Sequence, residues 1–192
     1  MCQVPRVTSR PRLLLHICCA PCSSTVMERL APEYEVTAFF YNPNIHPHEE
    51  FDRRLKETER WCATTGVPLI AEEYDEGRWQ ELVRGHEGDR EGGARCGICF
   101  ETRLRRTGEY AREHGFEWFT TTLTLSPHKD AARVNSIGRR LAEELGARFL
   151  EGDFKKQRGF ERSLELSREH GFYRQDYCGC MFSRRERDQR KR

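Results

Sequence analysis

"LLLHICCAPCSSTVMERL", Leu13 to Leu30, passes from an unbroken apolar run through three cysteines into a segment of helical character. An apolar run of this length, bounded by a turn signal, reads as a strand buried on both faces. The segment after Cys22 offers Ser23 or Ser24 as a helix N-cap. Strand, tight loop and helix make the opening unit of a parallel sheet, and the rhythm recurs downstream. "EVTAFFY", Glu35 to Tyr41, reads as a second strand ended by "NPN". A helix follows, with Phe51, Leu55, Thr58 and Cys62 at i, i+4, i+7 and i+11. "VPLIAEEY" is the third strand and "RWQELVRG" a short helix. After the glycine-rich loop Gly85 to Gly93, a helix carries Phe100, Leu104, Thr107 and Ala111 on one face. "FEWFTTTLT" is strand four, then a helix with Val134, Ile137, Leu141 and Leu145, then "ARFLEGDF" as strand five.

Such alternation predicts an α/β fold: a Rossmann-like open parallel sheet with helices on both faces. A helical C-terminal segment then returns the C-x-C motif Cys178–Cys180 to the body. The chain of 192 residues is read as a single domain, with flexible basic ends at about 1–12 and 184–192. Ligands of open α/β sheets bind beyond the carboxyl ends of the strands. The polar and cysteine-bearing segments all follow strands, so they are expected at that one edge.

No apolar run approaches the roughly 20 residues of a membrane-spanning helix. Met1 to Arg12 holds no apolar signal-peptide core, so the chain is expected to stay in the cytoplasm. In a reducing compartment, nine cysteines point to metal binding or thiol chemistry rather than to a disulfide framework. Net charge is +2, yet Arg184 to Arg192 carries six basic residues against two acidic ones. Basic ends on an acidic body fit a polyanionic partner, or a solvated tail.

Cys2 reads as an incidental thiol and Cys62 as a small core residue. The other seven cysteines form three groups: Cys18, Cys19 and Cys22; Cys96 and Cys99; Cys178 and Cys180. Two C-x-x-C pairs could make one tetrahedral zinc site. They do not require the adjacent pair Cys18–Cys19 or the C-x-C, and seven thiols exceed one zinc. An iron–sulfur cluster held by four cysteines, with thiols to spare, fits the number better.

"HICCAPCS", "YNPNIHPHEEF", "EGGARCGICFETRL", "TTLTLSPHK", "DFKK" and "YRQDYCGC" occur in this order over about Leu13 to Ser183. Together they resemble the QueH-type epoxyqueuosine reductases. The resemblance implies an oxidoreductase of queuosine biosynthesis and tRNA processing. It would remove the epoxide oxygen from epoxyqueuosine at the tRNA wobble position, with a [4Fe-4S] cluster, no cobalamin and an external electron donor. Carried onto this sequence, it implies Cys18, Cys19, Cys96 and Cys99 as cluster ligands and Cys22 as a further metal-site thiol. Cys178 and Cys180 resemble the family's redox pair, which cycles through a disulfide or binds a second, mononuclear iron. Asp153 would offer that iron a carboxylate.

The reaction needs two electrons and a proton donor, for which His16, Asp153, Lys155 and Lys129 are candidates. His16 is equally a hydrogen-bonded core histidine, and the lysines are equally tRNA phosphate contacts. Tyr41, Asn42 and Asn44 are expected near the modified base, with Tyr173 and Arg174 approaching from the returning tail. "HPH", His46 to His48, reads as a helix-entry loop. Two other functions account for part of the pattern: a thiol–disulfide oxidoreductase using Cys19 and Cys22, and a zinc-stabilised RNA-binding module.

Overall fold

The computed structural model describes residues 10–191, so Cys2 and most of the expected basic N-terminal end lie outside the described residues. Four strands, β1 (Arg12–Ile17), β2 (Glu35–Phe40), β3 (Leu69–Ala71) and β4 (Trp118–Thr121), form one parallel sheet in the order β3-β2-β1-β4. Seven helices accompany them: α1 (Ala20–Leu30), α2 (His48–Thr65), α3 (Glu76–Leu82), α4 (Ala94–Glu113), α5 (Ala131–Leu145), α6 (Gly159–Glu169) and α7 (Met181–Arg190).

Alternation along β1 builds two cores. Leu13, Leu15 and Ile17 point to one face, among Val26, Met27 and Leu30 of α1 and Phe51 and Trp61 of α2. Leu14 points to the other, with Phe100 and Leu104 of α4 and Val134 and Leu141 of α5. The β1 side chains Leu13, Leu14, Leu15 and Ile17 are fully buried. Each contributes about 1.5–3 kcal/mol of transfer free energy. β1 pairs with β2 on one side and β4 on the other, so the sheet order reverses there and opens a crevice at the carboxyl ends of β1 and β4.

Three local expectations are corrected by the structure. α1 begins at Ala20, with Cys19 as its cap and Pro21 in its first turn, while Ser23 and Ser24 donate back to the carbonyls of Ala20 and Pro21. β4 stops at Thr121, because the Thr121 hydroxyl accepts the Leu123 amide at 3.1 Å and winds Thr122–Leu125 into a 3-10 turn. The fifth strand is reduced to one bridge, Phe119 to Phe149. Beyond it the Leu150 carbonyl is taken by the Thr120 hydroxyl at 2.7 Å, which ends the backbone ladder. At the ends expected to be flexible, Arg12 opens β1 and residues 184–190 lie in α7, whose Arg187 pairs with Asp176. No helix among the described residues is long and apolar enough to cross a membrane.

Candidate metal and thiol site

Cys18 follows β1 directly, Cys19 caps α1 in an extended conformation, and Cys22 lies in the first turn of α1. The sulfurs of Cys18, Cys19 and Cys22 lie within 4.8 Å of one another, with Cys18 and Cys19 3.9 Å apart. The first turn of α1 has neither an acidic residue nor a side-chain cap. Its positive end is therefore free to favour a thiolate. Hydrogen bonds from Cys19 and Cys22 hold the Cys18 thiol well below its ordinary range despite its burial. The donors move the opposite way: Cys19 is pushed up to about 12 and Cys22 is also raised. Among the three sulfurs, these hydrogen bonds thus favour the thiolate of Cys18 over those of Cys19 and Cys22. Gln175 Nε2 also donates to the Cys19 sulfur, at 3.2 Å.

Four other cysteines line one cavity beside this group. Cys96 and Cys99 come from the first turns of α4, and Cys178 and Cys180 from the segment entering α7. Both helices again begin without an acidic residue in the first turn. In α7 a sulfur takes the place of the usual oxygen cap, Cys180 accepting the Ser183 amide at 3.4 Å, and at the start of α4 the Cys96 sulfur accepts the amide of Gly92, ahead of the helix, at 3.2 Å. Burial pushes Cys99 up to about 12 and raises Cys96 as well. All eight described cysteines are free.

Two cations join the sets. Lys129 lines the cavity. Burial alone would lower its pKa, but the sulfurs of Cys178, Cys18 and Cys22 outweigh burial and raise it. Arg103 is 2% exposed and responds in the same way to Cys99, Cys178 and Cys18. Its Nη2 has no hydrogen-bond partner, nor does the side-chain oxygen of the buried cavity residue Asn44. Seven thiols and an unspent guanidinium donor fit a bound metal–sulfur group, whose anionic sulfurs would take such a donor, while the Asn44 oxygen is an acceptor left open at the cavity.

The remaining sequence candidates separate. His16 is fully buried beneath the site, hydrogen-bonded through Nδ1 to the Thr121 hydroxyl (2.9 Å) and through Nε2 to the Tyr41 carbonyl (3.2 Å). Burial, assisted by Arg103, lowers its pKa to about 3, so it is a neutral core histidine. Asn42 spends its amide on the Ile17 carbonyl at 2.9 Å, and the Tyr41 ring faces a separate groove with Arg78 and Arg106. Lys155 donates to the Lys129 carbonyl at 3.2 Å and pairs with Asp153 at 3.1 Å. Arg174 is held by Ser163 and Ser167 of α6, and Tyr173 donates to Glu50. His46 pairs with Glu76, and His48 with Asp52.

Three residues that the sequence reading passed over are central: Arg54, Arg103 and Gln175. The two arginines had a readable signal. Arg54 shares its helix face with Phe51 and Thr58, and Arg103 shares one with Phe100 and Thr107. A charge on an apolar stripe needs a buried partner. Gln175 gave no such signal, because its role rests on a fold-back of the chain.

Residues 13–186 match the family profile described as epoxyqueuosine reductase QueH. The chain belongs to that family. It is 42% identical over 177 residues to the epoxyqueuosine reductase QueH of Haemophilus influenzae, covering 91% of this chain and 72% of that protein. The Thermotoga maritima relative is 35% identical, with 91% of each chain covered. Among solved structures, U34-tRNA thiolase NcsA from Methanococcus maripaludis, with its [4Fe-4S] cluster, superposes with a TM-score of 0.55. That match has 14% identity and covers 95% of this chain and 65% of the other. A predicted tRNA methyltransferase subunit from Methanocaldococcus jannaschii gives a TM-score of 0.55 at 12% identity, over 82% of this chain and 75% of that one. At these identities the two structures establish the fold, a Rossmann-like α/β sheet, and the family match establishes an epoxyqueuosine reductase.

Proposed function

We propose that this chain acts in the cytoplasm on tRNA containing epoxyqueuosine and converts the wobble nucleoside to queuosine, the last step of queuosine biosynthesis. The observation that carries this reading is the convergence of seven cysteines with the buried Arg103 and the half-buried Lys129 at the sheet's switch point in a chain of this family. The epoxide takes up two electrons and two protons. Both carbon–oxygen bonds to the epoxide oxygen break, a carbon–carbon double bond forms, and the oxygen leaves as water. The electrons come from an external donor.

Cys18 and Cys19 are assigned as cluster ligands together with Cys96 and Cys99 across the cavity, and Cys22 as a further thiol of the metal site. Four of these suffice for a [4Fe-4S] cluster. The surplus, with Cys178 and Cys180, is available to a second, mononuclear iron or to a dithiol–disulfide cycle. When bound, such a cluster supplies electrons one at a time at low potential. Lys129 is assigned to meet the departing oxygen. Its raised pKa makes it a strongly charged hydrogen-bond donor that stabilises developing negative charge, and a reluctant proton source. Asp153 and Lys155 support it through the Lys129 carbonyl, so Asp153 is read as a positioning residue rather than a ligand. Both asparagines have a side-chain oxygen without a partner, but Asn44 lines the cavity and Asn42 does not, which makes Asn44 the better candidate to read the base. Tyr41 faces the separate groove with Arg78 and Arg106, where it is a candidate for stacking on a neighbouring base of the RNA rather than on the reacting nucleoside. Exposed Arg184 and Arg185 on α7 suit phosphate contacts, whose affinity falls with salt.

The zinc reading draws on one observation. Thiolates about 2.3 Å from a tetrahedral ion stand roughly 3.8 Å apart, close to the 3.9 Å between Cys18 and Cys19. The deciding experiment is anaerobic reconstitution with iron and sulfide, metal analysis, and nucleoside mass spectrometry of epoxyqueuosine tRNA treated with the protein and dithionite. Iron, sulfide and conversion to queuosine are expected. A colourless, zinc-only protein without turnover refutes the proposal.

A further inference from the structure

The C-x-C segment lies outside the sheet, so something other than a β-ladder must hold Cys178 and Cys180 at the cavity. Arg54 is 1% exposed, although it belongs to α2. Its Nη1 donates to the Cys178 carbonyl at 3.2 Å, its Nη2 to the Tyr177 carbonyl at 3.4 Å, and its Nε to Glu50 at 2.7 Å. Gly179, between the two cysteines, has φ +130°, and a Cβ there would stand 3.2 Å from Arg54 Nη1 and 3.2 Å from Ile45 Cγ1. The Gly179 carbonyl accepts the His46 amide at 2.8 Å. The glycine therefore permits both the left-handed backbone and the close approach of the guanidinium.

Burying an ion pair is weak evidence for stability, because desolvation of both charges opposes their attraction. A planar fork that reads two consecutive carbonyls is strong evidence for positioning, and lysine cannot reproduce it. We infer that Arg54 is a positioning residue that docks the Cys178–Gly179–Cys180 segment against the three-sulfur group by binding the carbonyls of Tyr177 and Cys178. Burying the charge in this way fixes a loop that, among the described residues, joins no strand and has the His46–Gly179 bond as its backbone tie to this part of the chain. The inference draws on the proposed function only in giving the segment a part in the reaction. Docking itself is measured without turnover.

The test is alkylation of the full, metal-free, reduced chain, with each cysteine read by mass spectrometry. Cys62, 3% exposed on α2, serves as an internal reporter of unfolding. In Arg54→Met combined with Glu50→Gln, which leaves no orphaned carboxylate, Cys178 is expected to react about tenfold faster, in line with two lost charge-assisted hydrogen bonds. Cys62 should stay protected. Arg54→Lys should give an intermediate rate, and the iron-loaded variants should lose kcat while KM for the tRNA changes little. Wild-type labelling of Cys178 in both variants overturns the inference. So does a parallel rise of Cys178 and Cys62, which would assign Arg54 to general stability. Docking confirmed without any change in kcat would leave the positioning role intact and count against the segment's part in the reaction.

Discussion

The three-cysteine turn and the C-x-C segment reach the same edge of the molecule by different means. Cys18 and Cys19 ride on the end of β1, whose six residues all pair with β2, from Arg12↔Glu35 to Ile17↔Phe40, and whose four central residues also pair with β4, from Leu13↔Trp118 to His16↔Thr121. Cys178 and Cys180 stand on chain that pairs with no strand among the described residues, and arginine donors to backbone carbonyls hold them. The CGIC limb uses the same device. Arg133 Nη1 donates to the carbonyls of Gly92 (2.6 Å) and Gly93 (3.1 Å), and Arg95 to those of His86 and Glu87. A central strand places its sulfurs through its own hydrogen bonds, whereas a loop borrows a long side chain from a helix to do so.

The largest effect should come from the strand-borne set. Cys18→Ala removes the sulfur whose thiolate the other two favour and should abolish iron loading and turnover, with secondary structure by circular dichroism unchanged. Cys96→Ala sharpens the comparison. If the two sets close on one cluster, it too should lose all iron and sulfide. Retention of colour and activity in Cys96→Ala would confine the cluster to the strand-borne sulfurs.

Proton release gives the next largest effect. In the metal-free protein Cys19 and Cys22 are held as thiols, with Cys19 at about 12, and both must lose protons to bind metal. The sign follows: raising pH favours the bound state, and lowering it releases metal. Each thiol that ionises on binding releases a proton, so cobalt or zinc affinity should rise by up to about tenfold per pH unit for each such thiol below its pKa. A pH-independent affinity between 6 and 8.5, measured by competition with a chelator, would show that the set is already fully ionised.

These contrasts also mark what could be read from the chain alone. The alternation of apolar runs with helical spacing, as in Phe51, Leu55, Thr58 and Cys62, defines the sheet and its two covered faces, because buried strands and amphipathic helices have different periods. Cys18 and Cys19 could be assigned to the ligand edge for the same reason. The ties of the loops were not legible. Nothing local to Arg54 names the Tyr177 carbonyl, more than a hundred residues away. Nothing local to "ARFLEGDF" announces that the Thr120 hydroxyl will stop its ladder. Long-range side-chain bonds to backbone depend on the completed fold.

Gly97→Ala tests the loop device at smaller scale. A Cβ at Gly97 would stand 2.3 Å from Arg133 Nη2, displacing the guanidinium from the Gly92 and Gly93 carbonyls. Alanine is the better helix former by about 1 kcal/mol, which offsets the lost bonds, so the melting temperature should move by only a few degrees. Cluster retention under a chelator should fall by roughly tenfold, as two charge-assisted hydrogen bonds would predict. A stable variant with undiminished retention would mean that Cys96 and Cys99 hold their geometry through α4 alone.

The smallest effect is expected furthest from the sulfurs. Asp153 pairs with Lys155 at 3.1 Å, and Lys155 in turn supports the Lys129 carbonyl. Both partners are partly exposed, at 28% for the Lys155 and 23% for the Asp153 side chain. A pair so placed is worth about 1 kcal/mol or less, so Asp153→Asn should lower kcat by no more than about fivefold and leave iron content unchanged. The neutral amide keeps the shape and removes only the charge, so this variant separates support from ligation. Loss of a distinct iron signal with Asp153→Asn, at unchanged cluster content, would instead make the carboxylate a metal ligand. The strand-borne sulfurs would then share their ion with an oxygen from the loop after the bridge at Phe149.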